Sequence, residues 1–181
     1  RLYAMSLSSA QLRGEALLNA AELNECDPLI APSGQSDKVY YPCGLIANSF
    51  FSDEFSELKT IIDGKEVVIP ISSEQIAWPG DAKLYGKSKY TVDQVLAPPS
   101  WAGRSDLGVG EGGVYKEIPD LSKNERFMNW MKISGLPTFR KLYGRLLVTE
   151  LAPGTYTLTI KDSYEVSQYQ GTKSFVISTT N

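Results

Sequence analysis

Apolar and polar residues alternate most clearly towards the end of the chain. Tyr156, Leu158 and Ile160 interleave with Thr155, Thr157 and Thr159, and Phe175, Ile177 and Thr179 follow with Ser174 and Ser178 between them. A period of two sends successive side chains to opposite faces of a strand, so both stretches are predicted strands. Leu58 to Ile62 and Val67 to Ile71 flank Asp63-Gly64, a dipeptide favoured in tight turns, and form the clearest predicted hairpin. Two stretches have helical spacing instead. Gln11 to Leu23 places Leu17, Leu18, Ala21 and Leu23 among helix-forming residues, with Gly14 blurring its start. Ser122-Lys123-Asn124-Glu125 has the pattern of a capping box ahead of Phe127, Trp130 and Met131, and Gly135 and Pro137 close the run, which predicts a helix from Lys123 to Ser134.

Between these elements, residues 79–120 contain Pro79-Gly80, Pro98-Pro99 and glycines at 108, 110, 112 and 113. That density of breakers predicts a long irregular excursion with few residues able to enter a core, mobile until a partner orders it. Short alternating strands around long loops favour a mainly β fold, an antiparallel sandwich with short helices, over a parallel sheet with helical crossovers. With 181 residues and 42% hydrophobic content, one domain is the expected unit.

Charge changes the picture through its distribution. Five basic residues stand against twelve acidic ones from Arg1 to Ala82, and seven against three from Arg126 to Asn181, around a net charge of only -3. The total speaks against a nucleic-acid surface. Phe127 to Thr149 holds no acidic residue while carrying Lys132, Arg140, Lys141 and Arg145; pairing with the acidic half is the plain explanation. The chain starts at Arg1 and has no apolar run near 18 residues, and it reads as a piece of a longer protein. Cys26 and Cys43 flank a segment rich in proline, glycine and serine, and are either a bridge in an oxidising compartment or two buried thiols.

The chain contains no histidine, which removes the commonest general base and the commonest transition-metal ligand. There is no G-x-S-x-G elbow and no zinc-type cysteine spacing. Gly108-Val109-Gly110-Glu111-Gly112-Gly113 spells a dinucleotide fingerprint, but no strand precedes it and no helix follows, so no cofactor is expected. Asp53, Glu54 and Glu57 lack calcium-loop spacing and read as a solvated face, so no metal is expected either. Of the three tryptophans, Trp130 falls on the apolar helix face, whereas Trp101, beside Pro98 and Pro99, is the better candidate for an exposed contact.

Several blocks are similar to one family. Tyr41-Pro42-Cys43-Gly44-Leu45-Ile46-Ala47-Asn48-Ser49 with Phe51-Ser52-Asp53, Ile76-Ala77-Trp78 and Pro98-Pro99-Ser100-Trp101 are three of them. The most specific is Asn129-Trp130-Met131 continuing to Leu136-Pro137-Thr138-Phe139-Arg140-Lys141-Leu142-Tyr143-Gly144. In order and spacing they resemble the ligand-effect modulator 3 / cell division control protein 50 family, non-catalytic β-subunits of type-IV P-type ATPases that flip phospholipids.

The resemblance implies a secretory-pathway membrane protein with two spans outside this sequence. Residues 1–181 would then be a single lumenal or extracellular domain, an asymmetric antiparallel β-sandwich. It implies that Cys26 and Cys43 are bonded, that the catalytic α-subunit of the ATPase is the partner, and that phospholipid is met only indirectly. No Asn-x-Ser/Thr acceptor occurs, a departure from the glycans usual in the family. Expected partner contacts are Pro98, Pro99 and Trp101 in the excursion, with Arg140 and Lys141 in the basic stretch, while Phe139 and Leu142 are expected to be buried. The residues also allow an autonomous glycan- or lipid-headgroup-binding sandwich, motivated by Trp101, the long loop and the basic stretch. A hydrolase or transferase has no recognisable nucleophile and base pair to rest on.

Overall fold

The Asp63-Gly64 turn forms as expected, with φ of 50° at Asp63 and 74° at Gly64. Two consecutive positive values give the turn the twist of the strands it joins. Leu58–Ile62 pairs antiparallel with Lys65–Ile69, Leu58 facing Ile69 and Ile62 facing Lys65. Tyr156–Thr157 lies antiparallel on the other edge of Leu58–Ile62. The structure, a computed structural model, describes residues 6–35 and 37–179. It has more strand than α-helix, in small sheets, and no described helix is long and apolar enough to cross a membrane. The chain forms two units, one from Arg1–Phe50 and Ser72–Leu146 and the other from Phe51–Ile71 and Leu147–Asn181.

The hairpin unit has a second strand pair, Glu54–Phe55 antiparallel to Ile160–Lys161. Beside it Asp53 is buried, which corrects its expected place on a solvated face. Its carboxylate accepts from the amides of Ser163 at 2.7 Å and Tyr164 at 2.6 Å and from Lys173 Nζ at 2.6 Å. Burial pushes the Asp53 pKa up, but the Lys173 ammonium and the two amides outweigh it and hold it below the ordinary 3.8. Glu54 stays exposed, paired with Lys161. The strand expected around Phe175 is absent, and residues 171–179 are irregular. Phe175 instead packs on Phe55 with ring centroids 5.0 Å apart, so ring packing replaces a backbone ladder there.

The other unit holds the larger core. Its strands Val39–Tyr40 and Val95–Leu96 pair in parallel, a departure from the all-antiparallel expectation. The predicted helix over Gln11 to Leu23 is replaced by a short helix Ser9–Leu12 and a 3₁₀ segment Ala20–Cys26. Gly14 explains the break: its φ is 94°, and a Cβ there would sit 2.4 Å from the Lys87 carbonyl oxygen. Further on, the Leu17 amide and carbonyl both bond to the Tyr90 hydroxyl, so they are withdrawn from any helix ladder. The helix near Asn124 does form, as Glu125–Met131, but its cap is Asn124, whose side chain accepts from the Phe127 amide at 3.0 Å. Ser122 belongs to a separate turn capped by Asp120.

The expectation that few residues of 79–120 enter a core is overturned. Tyr90, Val95, Ala97, Leu107, Val109 and Tyr115 are all buried with Leu12, Phe50 and Phe127. Short apolar insertions between turns reach the core one at a time, a pattern with no period to detect. Cys26 and Cys43 are bonded and buried, their Cα atoms 5.6 Å apart, closing a loop of sequence separation 17. Such a closure stabilises by about 3 kcal/mol in the chain-entropy model. Next to it Gln11, fully buried, donates from Nε2 to the Tyr40 carbonyl and the Tyr90 hydroxyl and accepts from the Cys43 amide.

Candidate functional site

The five residues expected to meet a partner separate into buried and surface positions. Pro99–Trp101 is one 3₁₀ turn, and it directs Trp101 inward, where it is 0% exposed. The indole N–H donates to the Ala47 carbonyl at 2.9 Å, and the ring meets Phe127 edge-on at 5.9 Å. Trp101 is therefore core, which corrects its expected exposure, and Pro98 beneath the same turn is buried too. Pro99 remains on the surface, as do Arg140 and, half-buried, Lys141.

The exposed tryptophan is Trp78, at 69%. It precedes the helical turn Pro79–Ala82, and Lys132 Nζ lies 5.9 Å from its ring centre while pairing with Asp81 at 2.8 Å.

Helix Glu125–Met131 places Trp78 and the basic stretch on the same part of the surface. On one side the Glu125 carboxylate accepts from three consecutive amides, Gln75 at 3.0 Å and Ile76 and Ala77 at 2.6 Å each, which fixes the backbone leading into Trp78. On the other, Arg126 Nε donates to the Tyr143 carbonyl at 2.9 Å, and its guanidinium lies 3.9 Å from the Tyr143 ring centre. Asn129 bridges both sides, donating to the carbonyls of Ile76 at 3.2 Å and Leu142 at 3.1 Å.

Residues 133–144 have no regular structure, and these side-chain bonds to their carbonyls hold them. With the backbone tied to the helix, the side chains turn outward. Phe139 and Leu142, expected to be buried, are 52% and 55% exposed. Lys141 Nζ donates to the Lys132 carbonyl and lies 5.7 Å from the Phe139 ring centre, and burial followed by the nearby Lys132 lowers its pKa. Arg140 is exposed and has no hydrogen-bond or ion-pair partner among the described residues. The site offers apolar contact area and one unpaired guanidinium, a chemistry of binding.

Glu125 gives the site a pH signature. The Ala77 amide is the largest influence on its carboxyl, which lies below the ordinary 4.5 because the bonds from Ala77, Gln75 and Ile76 outweigh the upward push of burial. A depressed pKa contributes stability that is complete above 4.5 and lost as pH falls through the folded value. Glu125→Gln should therefore lower the melting temperature at pH 7, with the gap to the unaltered protein closing below pH 4.5. An equal gap at pH 7 and pH 3 would show that the carboxylate charge is not what holds these amides.

Comparison with known proteins gives a consistent result. The family model for the LEM3 (ligand-effect modulator 3) family / CDC50 family matches residues 1–181. The chain is 36% identical over 185 residues to the phospholipid-transporting ATPase accessory subunit CDC50 of Chaetomium thermophilum, covering 99% of this chain and 44% of that protein. It is 36% identical over 181 residues to the phospholipid-transporting ATPase accessory subunit CRF1 of Saccharomyces cerevisiae, covering 100% and 44%. The cell cycle control protein 50A of Mus musculus is 33% identical over 204 residues, covering 99% and 51%. The chain thus spans about half the length of these relatives.

Proposed function

The chain belongs to the LEM3/CDC50 family, and from that premise we propose that it is the exoplasmic, non-catalytic part of an accessory subunit of a phospholipid-transporting P-type ATPase. The observation that carries this reading is the match along all 181 residues to proteins named as such subunits. The partner is the catalytic subunit, which performs the ATP chemistry. The accessory protein supports that subunit's folding, its exit from the endoplasmic reticulum and its activity. Phospholipid is met indirectly, and attachment to the membrane lies outside these residues. The buried Cys26–Cys43 bond suits an oxidising lumen or cell exterior.

In this reading both units belong to one exoplasmic domain of the mainly β, asymmetric antiparallel sandwich type, from which the parallel pair Val39–Tyr40 and Val95–Leu96 departs. Pro99, Arg140 and Lys141 face the partner, while Trp101 and Pro98 act from below by fixing the turn that carries Pro99. The glycan- or headgroup-binding alternative loses one of its three motivations, since Trp101 is buried. Deleting the full-length protein tests the proposal: the catalytic subunit should stay in the endoplasmic reticulum, inactive. Normal phospholipid transport in the deletion strain would overturn it.

A further inference from the structure

Trp78, Leu136, Phe139 and Leu142, the last three from the irregular stretch 133–144, are 69%, 73%, 52% and 55% exposed. Asn129 and Lys132, both from the region of helix Glu125–Met131, tie the segments around Trp78 and Leu142 to one another. Trp78 and the three apolar side chains of 133–144 flank the same helix and are open to water, which makes this face a candidate interaction surface. The bonds made by Glu125, Arg126 and Asn129 fix the backbone that leads into Trp78 and the backbone at Leu142 and Tyr143, which lowers the ordering entropy that opposes binding at these two positions.

We infer that this cluster, with Arg140 at its edge, docks an exoplasmic loop of the catalytic subunit that presents apolar side chains and a carboxylate. The inference rests on the accessory-subunit reading above. Charge selects the carboxylate: Phe127 to Thr149 contains no acidic residue, and Arg140 has no ion-pair partner among the described residues. Lys132 is held by Asp81, and Lys141 is folded back onto the Lys132 carbonyl, so one guanidinium is left to form the pair. The same count favours a protein over a bilayer. Electrostatic attachment to anionic lipid uses clusters of about four to eight free Lys or Arg side chains, whereas a tryptophan and an arginine amid aliphatic contacts have the composition of a protein hot spot.

The test co-expresses the full-length protein with its catalytic subunit and measures co-purification and thermal melting for Trp78→Ala, Phe139→Ala/Leu142→Ser and Arg140→Glu. Each variant should melt within a few degrees of the unaltered protein, because the side chains are exposed, and each should reduce co-purification at least tenfold. Arg140→Lys should restore part of the loss that Arg140→Glu causes. Failure of the unaltered protein to co-purify would sink the accessory-subunit reading itself. Co-purification by the unaltered protein and equally by all variants would leave that reading standing and overturn the docking surface. Variants that co-purify normally but lose binding to phosphatidylserine vesicles would also overturn it, in favour of a lipid contact.

Discussion

Trp101→Ala should destabilise the protein by about 3 to 5 kcal/mol, the range for truncating a fully buried aromatic ring. The ring touches Phe50 and Phe127 with centroids 5.8 and 5.9 Å away, so its removal opens a void where two segments distant in sequence meet. Loss of the indole N–H also removes one of the donors to the Ala47 carbonyl, which keeps the Phe50 amide at 3.1 Å. Domains are stable by only about 5 to 15 kcal/mol, so the variant should show poor yield and a sharply lower denaturation midpoint. Trp101→Phe keeps much of the apolar contact and loses the N–H, and should fall between the two. A normal midpoint for Trp101→Ala with weakened partner binding would return the residue to the surface role its proline-rich surroundings suggest.

A second large effect is expected at Gln11. Its Nε2 reaches the Tyr40 carbonyl and the Tyr90 hydroxyl, both at 3.0 Å, and its Oε1 receives the Cys43 amide at 2.9 Å. Alanine would leave the Tyr40 carbonyl and the Cys43 amide without this partner in a buried site and open a cavity. At about 1 to 3 kcal/mol for each unsatisfied group, the loss should be about 3 kcal/mol or more. Gln11→Glu tests the donor separately: it keeps an acceptor for Cys43 but turns a carboxylate towards the Tyr40 carbonyl, and should be at least as damaging. A chemical-denaturation loss below about 1 kcal/mol for Gln11→Ala would show that the site admits water.

What the sequence revealed follows from how local each cause is. The Asp63-Gly64 hairpin is decided by adjacent residues and was readable, as was the existence of the helix before Gly135. The helix cap moved from Ser122 to Asn124 because either residue can cap and the three-dimensional path of the Asp120 turn decided between them. Gln11 gave no signal, since a polar residue among apolar ones has no marked period and its partners lie at Tyr40, Cys43 and Tyr90. Phe139 and Leu142 look like core in composition, yet both are exposed; at Leu142 its own carbonyl and that of Tyr143 are tied to Asn129 and Arg126, which fixes the backbone with the side chain outward. Of the expected contact residues, Arg140 and Lys141 kept surface positions because charge is seldom buried, while Trp101 was misplaced because turn-rich surroundings say little about which way a ring points.

The interleaving of the two units has a consequence for synthesis. Leu12, Leu23 and Ile46 share a core with Phe127 and Met131, and the hairpin unit's first stretch, Phe51–Ile71, emerges between those two groups. A ribosome delivers residues in one direction, so the early apolar residues gain their last core partners only when helix Glu125–Met131 has been synthesised. The three-stranded sheet built on the hairpin waits longer, because its third strand begins at Tyr156. The Cys26–Cys43 pair, only 17 residues apart, can close long before either event. Half-made chains of this protein therefore lack part of the core, and its completion is timed by the arrival of Phe127 and Met131.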